Sequence, residues 1–253
     1  MLQKTIETVL SLDDLRPSDT VNSAFSALVS AVIHDTKTKV DTAVCRQVQA
    51  VSSEAESYME AYWARRVIAA QDPKAELSQF PYVNNYAELV RREIRLVEAS
   101  GLQLGHTSRV CMIGAGPLPM TGLELMKQRQ VRMDHVDISA QALALCSLVG
   151  GRLGLRCGHM SGAGADIALE AHEYDLILIA GLAGSTIAEK QAIVDNVLPA
   201  LKPGGRLLVR SAAGSRRLLY PAFPAKVLRR VHLLSEYHPN DDVINSVFVY
   251  EKA

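Results

Sequence analysis

The chain has 253 residues, 48% of them apolar, and its 27 basic residues balance 27 acidic ones. This composition suits one large domain, or one domain with a sizeable extension, and excludes a disordered chain. The balanced charge gives no basic footprint for nucleic acid, and no apolar run reaches the roughly eighteen residues of a membrane span. Asp13, Asp14 and Asp19 do not fit a signal peptide, so we expect a cytoplasmic protein without nucleic-acid or membrane partners.

The cysteines give no sign of a disulfide or a metal site. Cys45, Cys111, Cys146 and Cys157 form no CxxC pair, and no histidine lies near them at the spacing of zinc ligands. Free cysteines in a reducing compartment behave as small apolar residues. The sequence therefore predicts four core cysteines and no structural metal.

The first hundred residues have the apolar periodicity of helices. After the start signal Pro17-Ser18-Asp19, the first apolar stripe consists of Val21, Phe25, Leu28 and Val32. A second stripe runs from Val40 through Ala55 toward Tyr62. Pro73 and Pro81 interrupt the pattern, and a third helix is predicted over 84–99, before Gly101 and Gly105.

From residue 109 onward, short apolar runs alternate with helical patterns, which predicts crossover units and a parallel sheet. The predicted strands are 110–113, 133–136, 176–180 and 207–209, and the predicted helices are 120–128, 140–148 and 187–198. Two later runs, 231–237 and 247–250, suit an antiparallel hairpin at the sheet edge. We therefore predict a helical N-terminal domain over 1–104 and a doubly wound α/β domain over 105–253.

A glycine turn follows the first predicted strand. Gly114 allows backbone angles that a side chain would forbid, and Gly116 lets a ligand approach the main chain. The third glycine of a dinucleotide fingerprint would fall at 119, where this chain has Pro119. Pro117 and Pro119 lack the N–H donors that a pyrophosphate needs, so a nucleoside without phosphates fits this loop better.

An acidic residue ends the next predicted strand. Asp137 lies 21 residues beyond Gly116, where a carboxylate can accept hydrogen bonds from both ribose hydroxyls. The loop and Asp137 together favour S-adenosylmethionine over NAD, although the same glycines also occur in ordinary strand-to-helix turns. Asp166 either holds the adenine amino group or lies in a solvated loop, and the sequence leaves both open.

One carboxylate lies on the apolar face of the predicted helix 84–99. Glu93 shares that face with Tyr86, Leu89, Val90 and Val97. A buried carboxylate is costly unless it is paired, and burial raises its pKa. Glu93 is therefore either a general base or the partner of an arginine from the α/β part, and periodicity does not separate the two.

Four longer motifs follow one another along the chain. Residues 80–93 contain the pattern FPY…NYxxLxxxE, and residues 113–121 contain GxGPLPxT. Residues 207–221 are similar to LRSAxGxRxxLYP, and residues 238–247 contain HPxDxVINSV. In this order the four motifs resemble those of nicotianamine synthases and of their bacterial relatives that make opine-type metallophores. The likeness spans about residues 80–250, and the first eighty residues match only as a helical region.

The resemblance implies a Rossmann-like sheet of the class I methyltransferase type, covered by N-terminal helices. It implies transfer of the 3-amino-3-carboxypropyl (aminobutyrate) group of S-adenosylmethionine, with release of methylthioadenosine. Glu93 matches the family's catalytic glutamate, and Tyr86 belongs to the same segment. The donor-binding residues expected on this basis are Gly114, Ala115, Gly116, Pro117, Leu118, Pro119, Asp137, Ile138, Ala165, Asp166 and Ala180.

The acceptor is expected to meet a second group of side chains. Arg210 either anchors a substrate carboxylate or closes a salt bridge at a strand end. Tyr220, His159 and His238 are expected to line the cavity, although lone histidines are more often structural. Ala213 stands where plant-like members have a histidine, which suggests a different acceptor.

The departures from the plant pattern favour the branch that makes metallophores of the staphylopine, pseudopaline and yersinopine type. The resemblance then implies a single transfer to the α-amino group of histidine, followed by a separate opine dehydrogenase. We expect no metal in catalysis, and an exposed apolar stripe on the N-terminal helices would suit a homodimer. The alternatives are true nicotianamine synthesis from three donors, an ordinary small-molecule methyltransferase, or a catalytically inactive module that binds the donor.

Overall fold

The computed structural model describes residues 2–35 and 40–253. Its N-terminal part is built from the helices α1 (Leu2–Leu10), α2 (Asp19–His34), α3 (Thr42–Ala69), α4 (Pro73–Leu77) and α5 (Val83–Ala99). The start signal of α2 is confirmed, because the Ser18 side chain accepts a hydrogen bond from the main-chain N–H of Val21. None of the helices in the described ranges is long and apolar enough to cross a bilayer.

The remaining residues form a mixed sheet with helices on both faces. The strands are β1 (Arg109–Ile113), β2 (Arg132–Asp137), β3 (Gly158–Ser161), β4 (Tyr174–Ile179), β5 (Leu201–Ser211), β6 (Val231–Tyr237) and β7 (Ser246–Lys252). The helices between them are α6 (Met120–Arg129), α7 (Ala140–Arg152) and α8 (Ile187–Val197). In the described part of the chain the strand order is β3-β2-β1-β4-β5-β7-β6, and β7 runs antiparallel to both its neighbours.

The predicted α/β class is confirmed, and the predicted strands and helices all appear. The hairpin of β6 and β7 inserts β7 next to β5, so β6 alone forms that edge of the sheet. Sequence reasoning missed α1, α4 and β3. Strand β3 has only four residues, half-buried or exposed, so it carries no apolar run to mark it.

The predicted apolar stripe of α3 was partly wrong. Tyr58 and Tyr62 are each 43% exposed, and Val40 precedes the helix. The buried side of α3 instead consists of Cys45, Val48, Ser52, Ala55, Glu60, Ala64 and Val67. A glutamate therefore lies on the buried face of this helix, at a position that the periodicity of its aliphatic residues had hidden.

Apolar packing ties the helical part to the sheet. Leu89 and Val97 of α5 belong to the same buried cluster as Leu178 and Val249 of the sheet. Each such side chain stabilises the fold by about 1.5–3 kcal/mol when fully buried. Helices α1 to α3 form a further cluster that includes Leu218, beyond β5. The division into domains at residue 104 stays a prediction.

Candidate functional site

A cavity of about 610 Å³ lies at the carboxyl ends of the central parallel strands. This is the edge where open α/β sheets bind ligands. The turn after β1, the end of β2 and the segment after β4 form its floor, and α3 and α5 contribute side chains from above. The predicted donor residues that line it are Gly114, Ala115, Gly116, Pro117, Leu118, Asp137, Ile138, Ala165 and Ala180.

Two of the predicted donor residues do not line this cavity. Pro119 is buried at the N-terminal cap of α6, where its missing N–H costs the helix nothing. The side chain of Asp166 is exposed, and its main-chain N–H is bound to the carbonyl of Ala163. Asp166 thus lies in a solvated loop, which was the alternative to adenine binding.

The Asp137 carboxylate is fixed by the main chain. Gly116 donates its N–H to Oδ2 at 2.8 Å, and Ser139 donates its N–H to Oδ1 at 2.9 Å. Each carboxylate oxygen can accept a second hydrogen bond. Asp137 is therefore held at the cavity wall with one acceptor position left on each oxygen, as two adjacent ribose hydroxyls would require.

The structure gives a reason for glycine at position 116 that the sequence did not show. The φ of Gly116 is +68°, in the left-handed region, and a Cβ there would lie 2.5 Å from Oε2 of Glu60. The glycine thus leaves room for a glutamate of α3 to approach the turn, in addition to any ligand. The glycine turn and a carboxylate from the helical part meet at this point.

Two carboxylates of α3 enter the cavity together. Glu56 and Glu60 are four residues apart on one helix face. The hydroxyl of Tyr220 donates to Glu56 at 3.0 and 3.1 Å, and the hydroxyl of Tyr86 donates to Glu60 at 3.3 Å. Sequence reasoning had identified both tyrosines but neither glutamate.

The environment of these groups favours their neutral forms. Burial raises the pKa of the Glu60 carboxyl well above its usual range, and the nearby charge of Glu56 raises it further. Burial likewise raises the pKa of Glu56, while the hydrogen bond from Tyr220 opposes that rise. Burial and the charge of Glu60 also raise the pKa of Tyr86. The site thus holds a buried carboxylate that binds a proton more strongly than an exposed one.

Glu93 has a different environment from the one expected of a general base. It is 1% exposed, and its two oxygens accept hydrogen bonds from Nε and Nη2 of Arg210 at 2.7 and 2.9 Å. Nη2 of Arg210 also donates to Thr121 at 2.9 Å. The structure therefore shows the paired alternative: both oxygens of Glu93 are engaged, and Glu93 is not among the residues that line the cavity.

Only some of the remaining predicted substrate residues line the cavity. Arg210 and Tyr220 line the cavity, but two nitrogens of Arg210 are bound to Glu93, so it is not a free anchor for a substrate carboxylate. His159 lies on β3 and does not line the cavity. His238 is exposed and makes hydrogen bonds with Glu236 and Ser246, which is a structural role.

A second cavity, of about 430 Å³, adjoins the first. The side chains that line both cavities are Glu56, Tyr86, Tyr220 and Asn245. Its outer walls include the aromatic rings of Phe25, Tyr62, Trp63 and Tyr82. The two cavities thus meet at the Glu56–Tyr220 hydrogen bond, next to the Glu60–Tyr86 hydrogen bond.

Comparison with known sequences decides the family. The family model described as nicotianamine synthase protein matches residues 2–253. This chain belongs to the nicotianamine synthase family. It is 32% identical over 258 residues to nicotianamine synthase 9 of Hordeum vulgare, covering 95% of this chain and 74% of that protein. It is also 32% identical to nicotianamine synthase 3 of Arabidopsis thaliana, covering 97% of this chain and 81% of that protein.

Solved structures show the same fold. The crystal structure of MtNAS in complex with MTA and tNA has a TM-score of 0.83 and covers 100% of this chain and 97% of that chain, at 19% identity. A glutamine-for-glutamate variant of MtNAS, in complex with S-adenosylmethionine, has a TM-score of 0.82 at 20% identity. The match to this fold thus includes the N-terminal helices as well as the sheet.

Proposed function

We propose that this chain transfers the 3-amino-3-carboxypropyl group of S-adenosylmethionine to the α-amino group of histidine and releases methylthioadenosine. The observation that carries the proposal is the position of Glu60. Its carboxylate lies beside Gly116 of the donor turn and accepts a hydrogen bond from Tyr86. A proton acceptor is thus located where a nucleophilic amine would approach the donor.

The shape of the first cavity supports S-adenosylmethionine as the donor. Asp137 offers one free acceptor position on each oxygen for the ribose hydroxyls. Ile138 follows it, lines the cavity and is 77% exposed, which suits a side chain that an adenine ring would cover. Pro117 presents no N–H to a phosphate. The complexes of MtNAS named with S-adenosylmethionine and with MTA agree with this assignment for a shared fold.

The proton must leave the acceptor amine before it attacks. Glu60 takes one proton from the acceptor ammonium, and the neutral amine then forms a bond to the methylene carbon next to sulfur. The sulfur–carbon bond breaks, and its electron pair returns to sulfur as the thioether of methylthioadenosine. The sulfonium activates three carbons alike, so the choice among them depends on how the cavity orients the donor and the amine.

The second cavity supports an amino acid with a flat side chain as the acceptor. Glu56 and Tyr220 stand at the junction, where a carboxylate and a hydroxyl can bind an ammonium group. Beyond the junction, Trp63 and Tyr82 line a wall on which an imidazole ring can stack. This arrangement favours histidine, with its α-amino group toward the donor.

A second candidate is condensation of three donor molecules to nicotianamine. The observation that favours it is the name of the relatives, which are called nicotianamine synthases over nearly the whole length of this chain. The same two cavities would then hold a donor and the growing product. An ordinary methyltransferase shares the donor site but needs no buried carboxylate at the methylene carbon.

The chemistry of the proposed product suggests which reaction follows. A single transfer leaves a primary amine at the end of the new group. That amine can condense with a keto acid, with loss of water, to give an imine, and an opine dehydrogenase can reduce the imine with a hydride from a nicotinamide cofactor. We include this dehydrogenase step, in the assembly of an opine-type metallophore, in the proposal. The exposed rings of Tyr58 and Tyr62 on α3 are the surface that we assign to a homodimer contact.

The test uses the purified chain with S-adenosylmethionine and no acceptor, L-histidine or D-histidine. The proposal expects methylthioadenosine and a single histidine adduct by mass spectrometry, in one of the two histidine mixtures only. Methylthioadenosine with a product built from donor alone would establish nicotianamine synthesis instead. S-adenosylhomocysteine would establish a methyltransferase, and no methylthioadenosine in any mixture would refute transfer of the aminobutyrate group.

A further inference from the structure

A cluster of metal-ligating side chains lies outside both cavities. It consists of His135 on β2, Cys146 on α7 and His159 on β3, and one ligand atom from each lies within 4.8 Å of the other two. None of the three lines the donor cavity or the second cavity. His135 is 1% exposed and Cys146 is fully buried. The cluster is thus enclosed where α7 packs on β2 and β3.

Three of the four ring nitrogens in this cluster lack a hydrogen-bond partner in the part of the chain that the structure describes. Both ring nitrogens of His135 and Nε2 of His159 are buried without a partner among the described residues. Leaving a buried polar atom unpaired costs about 1–3 kcal/mol. The two imidazole rings lie 5.5 Å apart between centroids, tilted by 33°. Polar atoms of three elements therefore converge in the core without satisfying one another.

The surroundings are shaped around these rings. A Cβ on Gly122 of α6 would lie 2.2 Å from Nε2 of His135, so glycine is needed there for the ring to keep its position. The main chain of α6 thus approaches the His135 ring closely.

We propose that His135, Cys146 and His159 bind a zinc-class transition-metal ion. A thiolate and two imidazoles are ligands that zinc prefers in proteins, with bonds of about 2.0–2.3 Å. Tetrahedral geometry places such ligand atoms roughly 3.5 Å apart, so distances of up to 4.8 Å between the ligand atoms need to shorten by at most about 1.3 Å on binding. The thiol of Cys146 loses its proton when the metal binds.

The ion would act on structure rather than on chemistry. It would link β2, β3 and α7, and β2 ends at Asp137, the carboxylate of the donor site. The metal itself would not reach the donor, because none of its ligands faces the cavity. We therefore expect metal to raise the stability of this part of the sheet and to leave the donor chemistry to Glu60.

The experiment is a cobalt(II) titration of the chelator-treated full chain, followed by competition with zinc(II). The expected result is a thiolate-to-cobalt charge-transfer band that saturates at one ion per chain and disappears when zinc is added. Cys146→Ser should abolish the band. The matched control is Cys45→Ser, a buried cysteine of the N-terminal helical cluster, which should keep the band unchanged.

Two further measurements keep the test decisive. His159→Gln, at a half-buried position, should weaken zinc binding by more than about 100-fold, since loss of an outer-shell partner alone costs 10- to 100-fold. Zinc should raise the Tm of the wild type and of Cys45→Ser but not that of His159→Gln. No charge-transfer band in the wild type, or equal zinc affinity in His159→Gln and the wild type, would overturn the proposal.

Discussion

Glu60 and Glu93 are both buried glutamates on helices that cover the sheet, yet their surroundings differ. Glu93 is held by two hydrogen bonds from Arg210, so its negative charge is compensated. Glu60 has no ion-pair partner among the described residues, and the charges that act on its carboxyl are the acidic Glu56 and Asp137. One carboxylate is neutralised within the fold, whereas the other is left to bind a proton or a cationic ligand.

The difference teaches that burial alone does not identify a catalytic carboxylate. A buried carboxylate that accepts two charge-assisted hydrogen bonds from an arginine has its charge balanced and both of its oxygens occupied. A buried carboxylate beside another carboxylate has its pKa raised by both burial and repulsion. The cavity of Glu60 suits the ammonium group of an acceptor, which would supply the missing positive charge.

The largest expected effect is that of Glu60→Gln on turnover. The amide would keep the shape of the side chain but accept no proton, so release of methylthioadenosine should fall by about 10²- to 10⁴-fold. Affinity for S-adenosylmethionine, measured by calorimetry, should stay within a few-fold, because the donor turn and Asp137 are unchanged. Turnover within threefold of the wild type would show that Glu60 does not take the proton.

The next largest effect is on stability, where Glu93→Gln should be more damaging than Glu60→Gln. Glu93→Gln leaves Arg210 buried without its anion, which should lower the free energy of unfolding by about 3–5 kcal/mol. Glu60→Gln should not destabilise the fold, because it removes repulsion from Glu56. Urea unfolding of both variants measures this difference.

A double variant separates two effects: the loss of the ion pair itself, and the cost of leaving the Arg210 charge buried without a partner. Glu93→Met combined with Arg210→Met removes both charges, and exchanging a buried pair for apolar side chains is often neutral or stabilising. We therefore expect the double variant to recover most of the stability that Glu93→Gln loses. If Glu93→Gln unfolds at the urea concentration of the wild type, the ion pair does not stabilise the fold as argued.

The fold could be predicted well from the sequence because its signals are local. A strand, a glycine turn and an amphipathic helix repeat from residue 109 onward, and each unit is recognisable within about fifteen residues. The elements that escaped are short, such as β3 with four residues and α4 with five. Their positions are set by pairing with β2 and packing on α3, which no local pattern records.

The candidate site could be predicted only in part because it joins distant segments. The donor turn and Asp137 followed from strand context, but the roles of Glu60 and Glu93 depend on which residues face them. Glu60 lies off the aliphatic stripe that the sequence shows on α3, so the helical reasoning that found Glu93 did not find Glu60. The cluster of His135, Cys146 and His159 was not predicted, because its side chains lie on three elements rather than at the close spacing of zinc motifs.

The smallest expected effect is a shift of the pH profile. The hydroxyl of Tyr86 donates a hydrogen bond that favours the carboxylate form of Glu60 and so lowers its pKa. Tyr86→Phe removes that bond, so the pKa of Glu60 should rise. Turnover requires the carboxylate and increases with pH through this pKa. The acid limb of kcat against pH should therefore move to higher pH in Tyr86→Phe.

The matched control is Tyr250→Phe, which removes a buried hydroxyl that donates to the carbonyl of Ala225; neither residue lines either cavity. It should leave the acid limb in place, even if it lowers the free energy of unfolding by about 1 kcal/mol. At a pH well above the limb, Tyr86→Phe should regain much of its turnover, because Glu60 is then deprotonated in either protein. If the acid limb does not move, or moves equally in both variants, the hydrogen bond from Tyr86 does not lower the pKa of Glu60 as argued.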